Sequence, residues 1–140
     1  MIHSHDLNFS FSGIKTAVLY LTKDILEKHP EFNGQIPENI KQEIACEFEN
    51  AVVEVIVKKT KDAIEQYGAQ TIIIGGGVSA NKKIRNDFKL LAQDFNIEFL
   101  VPEVDASTDN AFMIALAGYM NILAGQKSEK DFKAIGNLSL

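Results

Sequence analysis

A β-branched run that ends in glycine constrains this chain more than any other feature: Thr71-Ile72-Ile73-Ile74 is followed at once by Gly75-Gly76-Gly77. A short apolar run of this kind reads as a buried strand. A helical pattern follows at about 80–95, with Ile84, Phe88, Leu91 and Phe95 on the inward face. Ile97 to Val101 then reads as a second strand, closed by Pro102. Two strands joined through a helix must run parallel, with a right-handed crossover. Two strands make too small a sheet to stand alone, and a parallel sheet needs both faces covered. The fold class is therefore α/β, and residues 1–140 read as a single segment of a larger α/β protein.

Helices flank this unit. Ser12 reads as the N-cap of a helix over about 13–28, with Ile14, Val18, Leu21 and Ile25 as its apolar stripe. His29-Pro30 ends it, because the residue before proline is pushed out of the helical region. Asn33-Gly34 and Pro37 mark a turn. A longer helix runs from about Glu38 to Tyr67, with Ile40, Ile44, Phe48, Ala51, Val52, Val55 and Ile56 inward and Gly68 as its stop. The last helix starts near Asp109-Asn110 and runs to about Leu123. It is apolar almost all round, so it is expected to be buried or packed against another domain. Gln126 to Leu140 is weakly patterned.

The composition, 46% hydrophobic and 24% charged, is that of a globular chain, and no apolar run approaches the ~20 residues that span a bilayer. The first residues, Met1 to Asp6, lack the basic and apolar regions of a signal peptide. One cysteine, Cys46, excludes an internal disulfide and suits a reducing compartment, so the cytoplasm is expected. Cys46 lies off the helical stripe, with no sequence-local base to activate it. A net charge of -5 argues against a dedicated nucleic-acid binder. Lys58-Lys59-Lys61 reads as a solvated helix face; Lys82-Lys83-Arg85 is a second basic cluster.

Chemistry concentrates at Ile74-Gly75-Gly76-Gly77-Val78-Ser79-Ala80-Asn81. A strand that enters glycines and then a helix brings bare backbone N–H groups to one point, where a phosphate or ribose can approach closely. On the glycines alone a tight strand-to-helix turn without a ligand is the favoured reading, and neither G-x-G-x-x-G nor a Walker A pattern is present. Taken alone, Asp109 reads as a plain helix cap.

Two further segments decide between these readings. Phe9-Ser10-Phe11-Ser12-Gly13-Ile14-Lys15-Thr16 resembles the FSFSG-(L/I)-K-T signature of the TsaD family, and Ser107-Thr108-Asp109-Asn110-Ala111-Phe112-Met113-Ile114-Ala115 resembles its TDN-x-x-MIA signature. With the glycine loop between them, the motifs stand in the family's order and cover almost the whole chain. The resemblance implies that residues 1–140 are a C-terminal segment without the family's N-terminal half, part of a ribonuclease-H-like domain of the actin/Hsp70-type ATPase fold with an incomplete sheet and flanking helices. It also implies transfer of threonylcarbamoyl from its adenylate to N6 of adenosine 37 in tRNA, with TsaB and TsaE proteins as partners and threonylcarbamoyl-adenylate or ATP as ligand.

On the same resemblance, Asn81 matches an asparagine that contacts the adenylate, Gly76 and Gly77 line that pocket, and Asp109 matches a ligand of an iron or zinc ion. The FSFSG segment reads as structural, with Phe9 and Phe11 inward. The chain departs from the family in lacking the H-x-x-x-H pair that supplies two more metal ligands; its histidines are His3, His5 and His29. His3 and His5 read as a solvated pair near a chain end. A lone aspartate does not hold a catalytic metal, which takes about three protein ligands. The segment alone is therefore expected to be inactive and metal-free, and its apolar last helix to favour self-association. No Ser/His/Asp, Cys/His or H-E-x-x-H pattern supports peptidase chemistry. A non-enzymatic partner-binding module of the same fold and a sugar- or acetate-kinase-like phosphotransferase are the alternatives.

Overall fold

The computed structural model describes residues 2, 4 and 6–126. Its centre is the strand–helix–strand unit: β1 (Thr71–Ile73) and β2 (Glu98–Leu100), joined through helix α3 (Lys82–Asp94). The strands run parallel in the register Thr71↔Glu98, Ile72↔Phe99 and Ile73↔Leu100, as the helical crossover requires. Each is shorter than its apolar run, but the pairing continues past the strand ends. Glu98 N–H donates to the Gln70 carbonyl (3.0 Å) and Ile74 N–H to the Leu100 carbonyl (3.1 Å).

One face of this small sheet carries the core. Ile72 of β1 joins Ile84, Phe88, Leu91 and Ala92 of α3 and Val53 and Ile64 of the long helix α2 (Glu38–Tyr67), and Phe99 stacks on Phe88 at 6.4 Å. Of the expected inward residues of α3, Phe95 packs at the edge of this core and the other three are fully buried. The opposite face is bare: Ile73 and Leu100, paired across the strands, are 73% and 43% exposed. The expectation of a buried strand therefore holds for one side of β1 only.

Helix α2 has the expected limits, and Gly68 ends it at φ +65, a left-handed conformation that glycine adopts without penalty, with its N–H on the Ile64 carbonyl at 2.8 Å. Its deepest apolar residues, Val53 and Ile64, fall outside the expected stripe, because the helix turns its C-terminal half toward α3. Its N-terminal half meets α1 (Ser12–Lys28), where an open apolar cavity of about 390 Å³ separates Val18 and Thr22 from Ile44 and Phe48. No residue of α1 is fully buried, and Leu21, expected inward, is exposed.

Two local readings are corrected. Ser12 is not an N-cap: it is already the first helical residue, Phe11 precedes it in the cap position, and the Ser12 hydroxyl pairs with that of Ser10 at 2.9 Å. Lys59 is not on a solvated face. It lies one turn beyond Val55 on the buried side of α2 and is 2% exposed. Its ammonium is satisfied by the Ser4 hydroxyl (2.9 Å) and by the carbonyl and carboxylate of Asp6. Burying an ammonium is costly without such partners, so this contact fixes the segment before α1 onto α2. The Asn8 amide, and then Lys59, hold the Asp6 carboxyl below the usual carboxylate range.

Helix α4 (Ala111–Leu123) follows β2, and every one of its residues is exposed, Phe112, Ile114 and Ile122 by 73%, 67% and 72%. The expected burial is thus not supplied by any described residue. No helix among the described residues is long and apolar enough to cross a membrane.

The division of packing gives a direct test by equilibrium unfolding in denaturant. Phe88→Ala, in the core, should cost about 3–5 kcal/mol. Leu19→Ala, on the 51% exposed side of α1, should stay within about 0.5 kcal/mol of the parent. Equal losses for the two would show that the core is misplaced.

Candidate functional site

Beyond β1 the chain passes Ile74 and Gly75 into Gly76, whose φ of +79 with extended ψ is open to glycine and strained for any other residue. A single 3-10 turn, Gly77–Ala80, follows, and α3 begins only at Lys82, two residues later than expected. Asn81 is its N-cap: the Oδ1 atom accepts from Ile84 N–H at 3.0 Å, while Nδ2 donates to Glu49 Oε1 of α2 at 2.7 Å. An amide carries two donors and two acceptor positions, so one of each remains.

After β2, Val104–Ala106 forms another 3-10 turn and leads to Ser107-Thr108-Asp109-Asn110. Here too the cap is an asparagine. Asn110 Oδ1 accepts from Met113 N–H at 2.9 Å, and its Nδ2 donates to the Thr108 carbonyl at 2.8 Å. The cap role considered for Asp109 therefore belongs to its neighbour. The Asp109 carboxylate is exposed and makes no hydrogen bond or ion pair with any described residue.

The two loops meet. Gly76 and Gly77 line a cleft of about 360 Å³ together with Ser107, Thr108, Asp109 and Met113. The cleft lies beyond the carboxyl ends of two parallel strands, the place where open α/β sheets collect ligands. Asn81 does not line it; its side chain is turned to the α3 terminus and Glu49.

Arg85 ties the loops together, and sequence reasoning missed it by grouping it with Lys82 and Lys83. Lys82 is exposed and Lys83 pairs with Asp87 at 3.7 Å. Arg85 turns inward: Nε donates to the Ser79 carbonyl of the glycine loop, and Nη2 to the Pro102 carbonyl (2.7 Å) and the Ser107 hydroxyl (3.0 Å) of the second loop. One signal was available, since Arg85 is the only arginine among 14 basic residues and sits beside the apolar face of its helix.

The described residues do not fit a metal ion by themselves. A catalytic transition-metal site takes about three protein ligands, and no three His, Cys, Asp or Glu side chains gather among the described residues. His29 pairs with Glu31 at 2.8 Å and stacks on Phe32 at the end of α1. His3 and His5 lie outside the described residues. Cys46 is exposed on α2, 3.8 Å from the Asn50 amide. Phe9 and Phe11 are not both inward: they stack on each other at 6.3 Å, and Phe9 is 50% exposed beside an apolar hollow along β1.

Asn81 substitutions separate its structural work from any contact with a ligand. Asn81→Ala should cost about 1 kcal/mol through the lost cap. Asn81→Asp keeps the acceptor for Ile84 but sets a carboxylate against Glu49. The pair then binds a proton more tightly folded than unfolded, so the variant should be less stable than the parent at pH 7 and recover as pH falls toward about 4. A pH-independent difference between Asn81→Asp and the parent would show that Glu49 is not a partner.

Comparison with known proteins gives this geometry its context. A family model described as "TsaD: tRNA N6-adenosine threonylcarbamoyltransferase" matches residues 2–116. A protein of that name from Thermosipho africanus is 41% identical over 140 residues, covering 100% of this chain and 40% of the relative. Its counterpart from Desulfotalea psychrophila is 41% identical over 116 residues, covering 83% of this chain and 33% of the relative. That from Polynucleobacter necessarius is 40% identical over 124 residues, covering 89% and 34%. The chain spans well under half the length of these curated relatives. With the glycine loop and the Asp109 loop both inside the matched region, the chain belongs to the TsaD family.

Proposed function

We propose that this chain is the segment of a tRNA N6-adenosine threonylcarbamoyltransferase that supplies one wall of the nucleotide cleft. The complete protein would transfer threonylcarbamoyl from its adenylate to adenosine 37 of tRNA. The observation that carries this reading is the single cleft shared by Gly76, Gly77 and Asp109. Side-chain-free backbone at Gly76 and Gly77 lets phosphate or ribose oxygens approach closely. The amide capacity left on Asn81 stands one 3-10 turn away. The parallel strands flanked by helices accord with a ribonuclease-H-like domain of the actin/Hsp70-type ATPase fold. TsaB and TsaE proteins and tRNA would act with the complete protein, in the cytoplasm.

Among the described residues that line this cleft, Asp109 is the donor suited to iron or zinc, and it would need further ligands from outside them. Because Asn110 carries the helix cap, Asp109→Asn in the complete protein should leave the melting temperature of the metal-free form unchanged. It should lower metal content and reduce transfer to tRNA by roughly 100-fold or more, the scale of a single electrostatic contact at a reacting centre. Stoichiometric metal with normal turnover in that variant would remove Asp109 from the site.

The bare α4 favours a second property of the segment on its own. Apolar residues exposed on all sides of a helix commonly become an interface, so the isolated segment is expected to self-associate and to bind a hydrophobic dye. Light scattering from a clean monomer, without dye binding, would count against this.

A further inference from the structure

We propose that Arg85 is a positioning residue that locks the glycine loop onto the loop before α4 and so sets the shape of the cleft for a nucleotide; this rests on the nucleotide reading of that cleft. The two loops leave different strands, and nothing in the local sequence fixes the distance between them. Arg85 spans them from a rigid base, since α3 is seated in the core through Ile84 and Phe88 on either side of it. Its guanidinium takes the Ser79 carbonyl on one loop and the Pro102 carbonyl and Ser107 hydroxyl on the other. Ser107 passes the restraint on: it is 4% exposed and its hydroxyl donates to the Glu103 carbonyl at 2.9 Å. Gly76 and Gly77 precede Ser79 by two or three residues, and Asp109 follows Ser107 by two. A shift at either end of the clamp therefore moves a wall of the cleft.

Two physical points favour a fitted device over incidental packing. The planar fork of arginine addresses several acceptors in fixed directions, which the point charge of lysine does not. All the acceptors are neutral, and Arg85 makes no ion pair with a carboxylate among the described residues. Its positive charge therefore has no direct ion-pair partner among the described residues, and it stands behind a cleft whose lining carries the Asp109 carboxylate.

The experiment measures ATP binding by calorimetry in the complete protein, for the parent, Arg85→Ala, Arg85→Lys and Ser107→Ala, with hydrogen exchange read over 75–80 and 103–109. Both Arg85 variants should bind ATP at least about tenfold more weakly, and exchange should rise in both loops together. Added methylguanidinium should restore part of the affinity of Arg85→Ala and none of Arg85→Lys. If Arg85→Ala does not fold, Ser107→Ala keeps the test open: it removes the hydrogen bond from the Arg85 guanidinium and the one to the Glu103 carbonyl, and should weaken ATP about fivefold. Parent-like affinity and exchange in Arg85→Lys or Ser107→Ala, with the parent binding ATP, would overturn the clamp and leave the nucleotide reading standing. No ATP binding by the parent would overturn that reading and this proposal with it.

Discussion

Parallel hydrogen bonding between Thr71–Ile73 and Glu98–Leu100 is the constraint on which the rest of this chain depends. A parallel pair cannot be closed by a tight turn, so the chain must return along α3, and α3 must cover a face of the sheet it has just left. That requirement selects Ile84, Phe88 and Leu91 as the residues that meet Ile72. It also sends both strands out at the same edge, so the loops that follow them emerge side by side. The cleft lined by Gly76, Gly77 and Asp109 is a direct consequence of strand direction.

Within that frame, the polar contacts around the cleft are mostly between loops and helices. Asn81 and Asn110 hold the first turns of α3 and α4 by the same side-chain cap, one at each loop's end. Glu49 and Arg85 reach in from α2 and α3, respectively, one to the cap residue and one to the backbone of both loops. Asp109 is left unengaged by the described residues in the middle of this network. It is an exposed carboxylate at the mouth of the cleft, beside backbone that carries no side chain.

The uncovered surfaces have one physical origin. A parallel sheet is stable when both faces are packed, and here Ile73 and Leu100 face outward while α4 exposes apolar residues on every side. Both stay uncovered by the described residues, in a chain that spans 40% or less of the relatives named above.

The sequence by itself determined the elements and their order. The β-branched runs, the proline after His29 and the glycine after Tyr67 placed helices and strands within a few residues, because these signals act through local backbone sterics. The strand–helix–strand pattern determined that β1 and β2 run parallel, and the three motifs pointed to the family and to the glycine and aspartate loops. Only the tertiary structure decided which polar residues do what. Asn110 rather than Asp109 caps α4, Lys59 is buried against Asp6, and Arg85 joins two loops. Those outcomes depend on groups far apart in the chain, as with Lys59 and Asp6 or Arg85 and Ser107. Helical spacing records which face a residue occupies, and not which carbonyl another loop will bring to it.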